Sequence, residues 1–207
     1  MPHRNYVAMA GAIGVGKSTV ARMLAEALGA RLMEEPLACV PSLEAFYRDP
    51  ETYALQVPLE FMHAGAEQLK NLHIDDHSDS VFVGDYLFEK EEVFAAANLS
   101  GDEYRLWEAT YREVEPTVPK PGTVIYVRAP VEVLLRRIAE RGRSFESTIT
   151  SGYLARLVAG YDRLLRDDDR VIELTSDRES IDRDSPTIRR LLEVLARRLK
   201  EPDACGK

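Results

Sequence analysis

Gly11-Ala-Ile-Gly-Val-Gly-Lys-Ser18 follows directly on the apolar run Tyr6-Val7-Ala8-Met9-Ala10 and matches the pattern G-x-x-x-x-G-K-[ST] without a break. A loop of this kind turns its backbone N–H groups inward around phosphate oxygens. Gly11, Gly14 and Gly16 serve that shape because a Cβ would block the close approach or forbid a positive φ. Lys17 reaches the outer phosphates and Ser18 can set its hydroxyl on Mg²⁺; Val15 and Thr19 complete the candidate nucleotide-binding set. Lys17 and Ser18 also open a helix whose partial positive charge favours the same anion. Val20, Met23, Leu24, Ala27 and Leu28 then recur at helical spacing, and Gly29 supplies a stop. Strand, loop and helix stand in the order a triphosphate cradle requires.

Apolar runs ending in polar or turn residues recur at Tyr6 to Ala10, Ala30 to Met33, Val81 to Val83, Thr123 to Val127 and Val171 to Leu174. Helical patterns lie between them, clearest after Pro130, from Tyr153 to Tyr161, and behind Ser185-Pro186. This alternation predicts an α/β fold, a parallel sheet of five strands flanked by helices. The helical stretch from Glu51 to Leu72 contains Pro58, where a kink or break is expected. The whole chain, 1–207, is expected to form one domain.

Composition narrows the function classes. With 207 residues, 45% hydrophobic and 30% charged, the chain reads as a globular protein with one good core, and its formal charge of −8 argues against coating nucleic acid. No apolar stretch approaches the roughly 20 residues that span a bilayer, and the lead from Met1 to Asn5 lacks a signal-peptide core, so a cytoplasmic protein without membrane partners is expected. Cys39 and Cys205 read as unpaired thiols.

In open α/β sheets ligands bind outside the carboxyl ends of the strands, so the polar residues closing each run carry the chemistry. The second run ends in Glu34-Glu35-Pro36 and the third in Gly84-Asp85-Tyr86. Asp85 has the setting of an acid that holds Mg²⁺ directly or through water. Glu34 and Glu35, adjacent on an extended segment, point to opposite sides, so one of them can enter the site, either as a proton acceptor for an attacking hydroxyl or in a structural role. Glu89, Glu91 and Glu92 surround Lys90 in a helical pattern that reads as a solvated face. The basic segment from Arg136 to Arg143 reads either as a movable lid whose guanidinium groups neutralise a phosphate-transfer transition state or as a solvated helix end. The run from Asp75 to Asp79, with His73 and His77, reads as a polar loop rather than a metal site, and Asp167 to Asp169 as a solvated turn.

Several of these segments together resemble one family. The loop itself, Glu-Glu-Pro at 34 to 36, Phe-Tyr-Arg-Asp-Pro at 46 to 50, Tyr-Ala-Leu-Gln at 53 to 56 and Arg-Gly-Arg-Ser-Phe-Glu at 141 to 146 look like the deoxynucleoside kinases in order and spacing. The resemblance runs from about Tyr6 to Leu174. It is nearest the bacterial deoxyadenosine and deoxyguanosine kinase branch, where Asp-Tyr-Leu-Phe-Glu-Lys and Pro-Lys-Pro-Gly have similar counterparts.

The resemblance implies a P-loop kinase fold with an Arg-rich lid at about 137–147, and transfer of the γ-phosphoryl group of ATP, with Mg²⁺, to the 5′-hydroxyl of a deoxynucleoside, a purine one by branch. It implies that Glu35 is the catalytic base, that Gln56 pairs with the base edge, that Tyr47 and Glu146 hold the sugar 3′-hydroxyl, and that Phe94 packs on the base. Arg137, Arg141 and Arg143 match the lid arginines that clamp phosphates beside Lys17. It implies a homodimer paired through long helices; the candidate stretch is Tyr104, Trp107, Tyr111 and Val114, although this apolar stripe could equally face the core. Two positions depart from the family pattern. Tyr86 stands where many members carry an Arg, removing a cation expected beside Glu35, and His63 stands where many have an Arg that helps select the base. Rival readings are a kinase for nucleoside monophosphates or another small hydroxyl compound, and a non-catalytic nucleotide-binding regulator.

Overall fold

The computed structural model describes residues 2–74, 80–176 and 185–200. The run from Asp75 to Asp79 and Cys205 therefore lie outside the described residues. Five strands form one sheet: β1 His3–Ala10, β2 Arg31–Met33, β3 Phe82–Gly84, β4 Pro121–Arg128 and β5 Val171–Thr175. Their order is β2-β3-β1-β4-β5 and every neighbouring pair is parallel. The five apolar runs of the sequence correspond to these strands; β1, β3 and β4 are buried along most of their length, as strands covered on both faces require, while the edge strands β2 and β5 are more exposed.

The nine helices among the described residues are α1 Lys17–Leu28, α2 Leu43–Arg48, α3 Pro50–Tyr53, α4 Gln56–Lys70, α5 Lys90–Asn98, α6 Gly101–Val114, α7 Val131–Arg141, α8 Ser151–Leu164 and α9 Pro186–Arg198. Local chemistry sets several of their starts. The Thr150 side chain accepts from Tyr153 N ahead of α8, and Ser185 accepts from Ile188 N ahead of α9, whose first residue is Pro186. Among the described residues, no helix is long and apolar enough to cross a membrane.

Pro58 does not break its helix. It sits in the first turn of α4, where a missing N–H leaves no intrahelical bond unmade, and the break falls earlier, between Tyr53 and Gln56. The stripe on α6 is absorbed by the core. Trp107 is fully buried and stacks on Tyr111 with ring centroids 4.9 Å apart, while Tyr104 and Val114 pack at the margin. Trp107 and Tyr111 thus face the chain's own core, the alternative left open for this stripe, while Tyr104 and Val114 keep partial exposure.

Strands β1 and β4 meet most tightly where their register shifts, between His3 and Val7. Gly122 lies there, and a Cβ on it would stand 2.7 Å from the His3 carbonyl oxygen and 2.8 Å from Arg4 Cα. Both obstacles are backbone, so they cannot swing aside. Gly122→Ala is expected to destabilise the fold by about 1–3 kcal/mol through overpacking, lowering the thermal midpoint by several degrees; an unchanged or raised midpoint in calorimetry would contradict this packing.

Candidate active site

A cavity of about 980 Å³ opens along the carboxyl ends of β1, β2 and β3. Its floor at one end is the glycine loop. Gly11 has φ +140 and its position faces the Val127 carbonyl oxygen, to which a Cβ would come within 2.5 Å. Gly14 has φ +81 and would set a Cβ 2.9 Å from the Leu134 carbonyl oxygen. The loop is thereby wedged between β4 and α7, and only glycine fits either position. Gly16 caps α1 in a left-handed conformation with no side chain bonded to the helix end, and the first turn carries no acid. The first N–H groups of α1 thus lack a side-chain acceptor at a positive helix end, the setting in which anions bind.

Gly14, Gly16, Lys17, Ser18 and Thr19 line the cavity, while Val15 is buried beneath it. Lys17 Nζ donates to the carbonyl oxygens of Gly11 at 2.7 Å and Ala12 at 3.2 Å. Burial lowers its pKa to about 8, against the pull of Glu35 and Asp85. Ser18 is hydrogen-bonded to Asp85, which is buried and whose Oδ1 accepts from Glu35 N at 2.6 Å. Burial lifts the Asp85 carboxyl above its ordinary value, moderated by the bonds from Ser18 and Glu35 N.

Glu34 and Glu35 both line the cavity, so the expected parting is incomplete: Glu34 pairs with Arg22 at its exposed rim, its Oε1 2.7 Å from Arg22 Nη2, whereas Glu35 meets the buried Lys90. The cation that Tyr86 does not provide is present from another residue. Lys90 Nζ lies 2.9 Å from Glu35 Oε1 and 2.7 Å from Glu91 Oε1. Burial works to raise the Glu35 pKa, but Lys90 and Lys17 outweigh it and hold the carboxyl below its usual range. Burial likewise opposes the charge of Lys90, and Glu35 with Glu91 reverses that, raising its pKa. Tyr86 is buried and donates from its hydroxyl to Gln68 Oε1 at 2.8 Å; Gln68 Nε2 in turn donates to the Glu34 carbonyl at 2.9 Å, tying α4 to the end of β2.

The solvated face expected around Lys90 is therefore corrected. Lys90 is 4% and Glu91 2% exposed, both lining the cavity, and Glu89 pairs with Arg170 Nη2 at 3.2 Å; Glu92 alone of the four faces solvent. The helix start at Lys90 turns inward because Phe61, Phe94 and Tyr86 offer ring faces 4.5, 5.2 and 5.9 Å from Nζ. Burial raises the Glu91 pKa beyond what Lys90 takes back, and its Oε2 has no hydrogen-bond partner.

Tyr47, Phe94 and Glu146 all line the cavity. Tyr47 packs against Phe145 with ring centroids 5.5 Å apart. Glu146 is buried and gathers the basic segment: its Oε2 lies 2.6 Å from Arg141 Nη2 and its Oε1 3.3 Å from Arg143 Nη1. Arg137 Nη1 donates to the Val15 carbonyl at 3.1 Å and to Ser176 Oγ at 3.0 Å. Helix α7 runs on through Arg141, past the amphipathic repeat, and ends at Gly142. Asp168, in the acidic turn, clasps Arg170 at 2.7 Å rather than standing free in solvent.

One candidate does not reach the cavity. Gln56 is exposed, its Nε2 donating to Ser42 Oγ at 2.6 Å and Glu60 Oε1 at 2.8 Å. The cavity face of α4 carries Val57, Pro58 and Phe61, and position 56 lies about 100° around the helix from 57. His63, two residues past Phe61, is 80% exposed and lines a shallow groove with Met62 and Val114 instead. What occupies the apolar end is Phe61, Phe94 and the buried carboxylate of Glu91.

The family model for deoxynucleoside kinases matches residues 7–197. A deoxyguanosine kinase from Bacillus subtilis (strain 168) is 31% identical over 184 residues, spanning 86% of this chain and 88% of that relative. A deoxyadenosine/deoxycytidine kinase from the same organism is 28% identical, spanning 78% of this chain and 77% of its own. Among solved structures, deoxyadenosine kinase from M. mycoides with bound dCTP superposes with a TM-score of 0.79 at 22% identity, covering 93% of this chain and 99% of that one. With a match of this extent and a relative this similar along most of its length, the chain belongs to the deoxynucleoside kinase family.

Proposed function

We propose that this phosphotransferase moves the γ-phosphoryl group of ATP to the 5′-hydroxyl of a purine deoxynucleoside, the monophosphate feeding nucleotide salvage. The observation that carries the reading is that Lys17 and Glu35 face one cavity, so a phosphate held by the glycine loop and a hydroxyl held at Glu35 share the same space. In the step, the 5′-oxygen forms a bond to the γ-phosphorus, the bond from the γ-phosphorus to the β,γ-bridging oxygen breaks, and the hydroxyl proton passes to the Glu35 carboxylate. The lowered pKa of Glu35 keeps that carboxylate ionised and ready at neutral pH.

The loop and the first turn of α1 hold the triphosphate through backbone N–H groups and Lys17. Arg137, Arg141 and Arg143 sit on the segment 137–147, which we assign as the lid; Arg141 and Arg143 would exchange part of their hold on Glu146 for phosphate oxygens. Ser18 and Asp85, an oxygen pair beside the phosphate site, fit Mg²⁺, which takes few protein ligands and completes its shell from phosphates and water. When bound, that ion neutralises charge on the β- and γ-phosphates. Phe94 and Phe61 receive the base, Tyr47 and Glu146 the sugar, and Glu91 presents an acceptor to the base edge where Gln56 had been expected. The purine assignment is supported by the names of the relatives, among them the deoxyguanosine kinase.

Three outcomes are expected. Incubation with ATP, Mg²⁺ and each of the four natural deoxynucleosides should yield monophosphate, fastest with a purine; no product with any of them would remove the assignment. Glu35→Gln should lower kcat by about 10²–10⁴ while ATP binding by calorimetry changes less than about twofold, and a lost ATP affinity would contradict the role of the carboxylate. Chelation with EDTA should abolish turnover and added Mg²⁺ restore it, whereas full activity in EDTA would exclude Ser18 and Asp85 as a metal site.

A further inference from the structure

Lys90 is buried, and its ammonium is held between two carboxylates, Glu35 Oε1 at 2.9 Å and Glu91 Oε1 at 2.7 Å. Three rings, Phe61, Phe94 and Tyr86, close around it. A lysine is an unfavourable choice for that place if packing were all it supplied, since apolar side chains of similar volume commonly replace buried ion pairs without loss of stability. What an apolar side chain could not do is hold a carboxylate.

We propose, on the reading of Glu35 as the acceptor of the hydroxyl proton, that Lys90 is a positioning residue for phosphoryl transfer: it pins Glu35 by Oε1 and thereby aims Oε2 at the acceptor hydroxyl. The geometry fixes Glu35 at two points. Its backbone N–H is tied to Asp85 Oδ1 at 2.6 Å and one carboxylate oxygen is tied to Lys90, so little rotational freedom is left to the second oxygen. Lys90 is itself fixed, because it is the first residue of α5 and is 4% exposed, with its ammonium among three rings. Glu91 supplies the second anchor. It holds the ammonium from the other side and leaves Lys90 a carboxylate partner when Glu35 accepts a proton. A displaced base of about 1 Å is enough to lower a rate about 10²-fold.

The test compares Lys90→Met, Glu35→Gln and the double variant Glu35→Gln/Lys90→Met by kcat, ATP affinity and melting temperature. Lys90→Met should lose about 10²-fold in kcat with ATP affinity within about threefold of the parent. In the double variant kcat should lie within about threefold of Glu35→Gln alone, since a residue acting through Glu35 has nothing left to position. A parental kcat in Lys90→Met, or losses that multiply in the double variant, would overturn the role of Lys90 alone. A parental kcat in Glu35→Gln would overturn both this role and the reading of Glu35. Should Lys90→Met fail to fold with Glu91 left unpaired, Lys90→Met/Glu91→Gln replaces it, compared with Glu91→Gln and with the triple variant that adds Glu35→Gln, and the same non-multiplying pattern is required.

Discussion

Two opposite charges are held out of water at the carboxyl edge of the sheet, Glu35 at the end of β2 and Lys90 at the start of α5, 2.9 Å apart. Burying such a pair costs several kcal/mol per ion unless further contacts offset it, and here Glu91 and three aromatic rings supply them. The pair constrains much of what surrounds it. The segment after β2 must place the Glu35 carboxylate against Lys90, β3 must end so that Asp85 takes the Glu35 N–H, and α4 must bring Phe61 against the ammonium. Removing one charge from such an arrangement strands the other, so the pocket depends on both.

The two ends of the cavity are built differently. At the end proposed to take phosphate, backbone shapes the site: Gly11 and Gly14 let the loop press between β4 and α7, and α1 supplies its positive terminus. At the acceptor end, side chains do it, with carboxylates and cations placed in alternation from Glu35 through Lys90 to Glu91, and from Glu146 to Arg141 and Arg143. The charges of the second end are paired within it, as a site proposed for a neutral nucleoside requires, and the arginines of the segment 137–147 stand within the same cavity as the glycine loop.

The phosphate end was legible in the sequence because it is local: a strand, a glycine loop and a helix N-terminus are consecutive, and their chemistry follows from spacing. The sheet was legible for a similar reason, since strands buried on both faces leave uninterrupted apolar runs. Lys90 was not. A lysine flanked by Glu89, Glu91 and Glu92 has the local pattern of an exposed helix face, and only the tertiary approach of Phe61 and Glu35 makes it internal. Gln56 and His63 show the same limit from the other side. Gln56 matches a motif and His63 departs from one, but the phase of α4, which turns Val57, Pro58 and Phe61 inward, decides which side chains reach the cavity.

On the proposed reading, the hydroxyl that receives phosphate lies between the glycine loop and Glu35. A crystal structure with a non-hydrolysable ATP analogue and a purine deoxynucleoside tests it most directly. The account predicts the γ-phosphate at Lys17 and the 5′-oxygen about 2.6–3.2 Å from the Glu35 carboxylate. A nucleoside bound with its 5′-hydroxyl turned away from Glu35, or a triphosphate seated outside the loop, would contradict it.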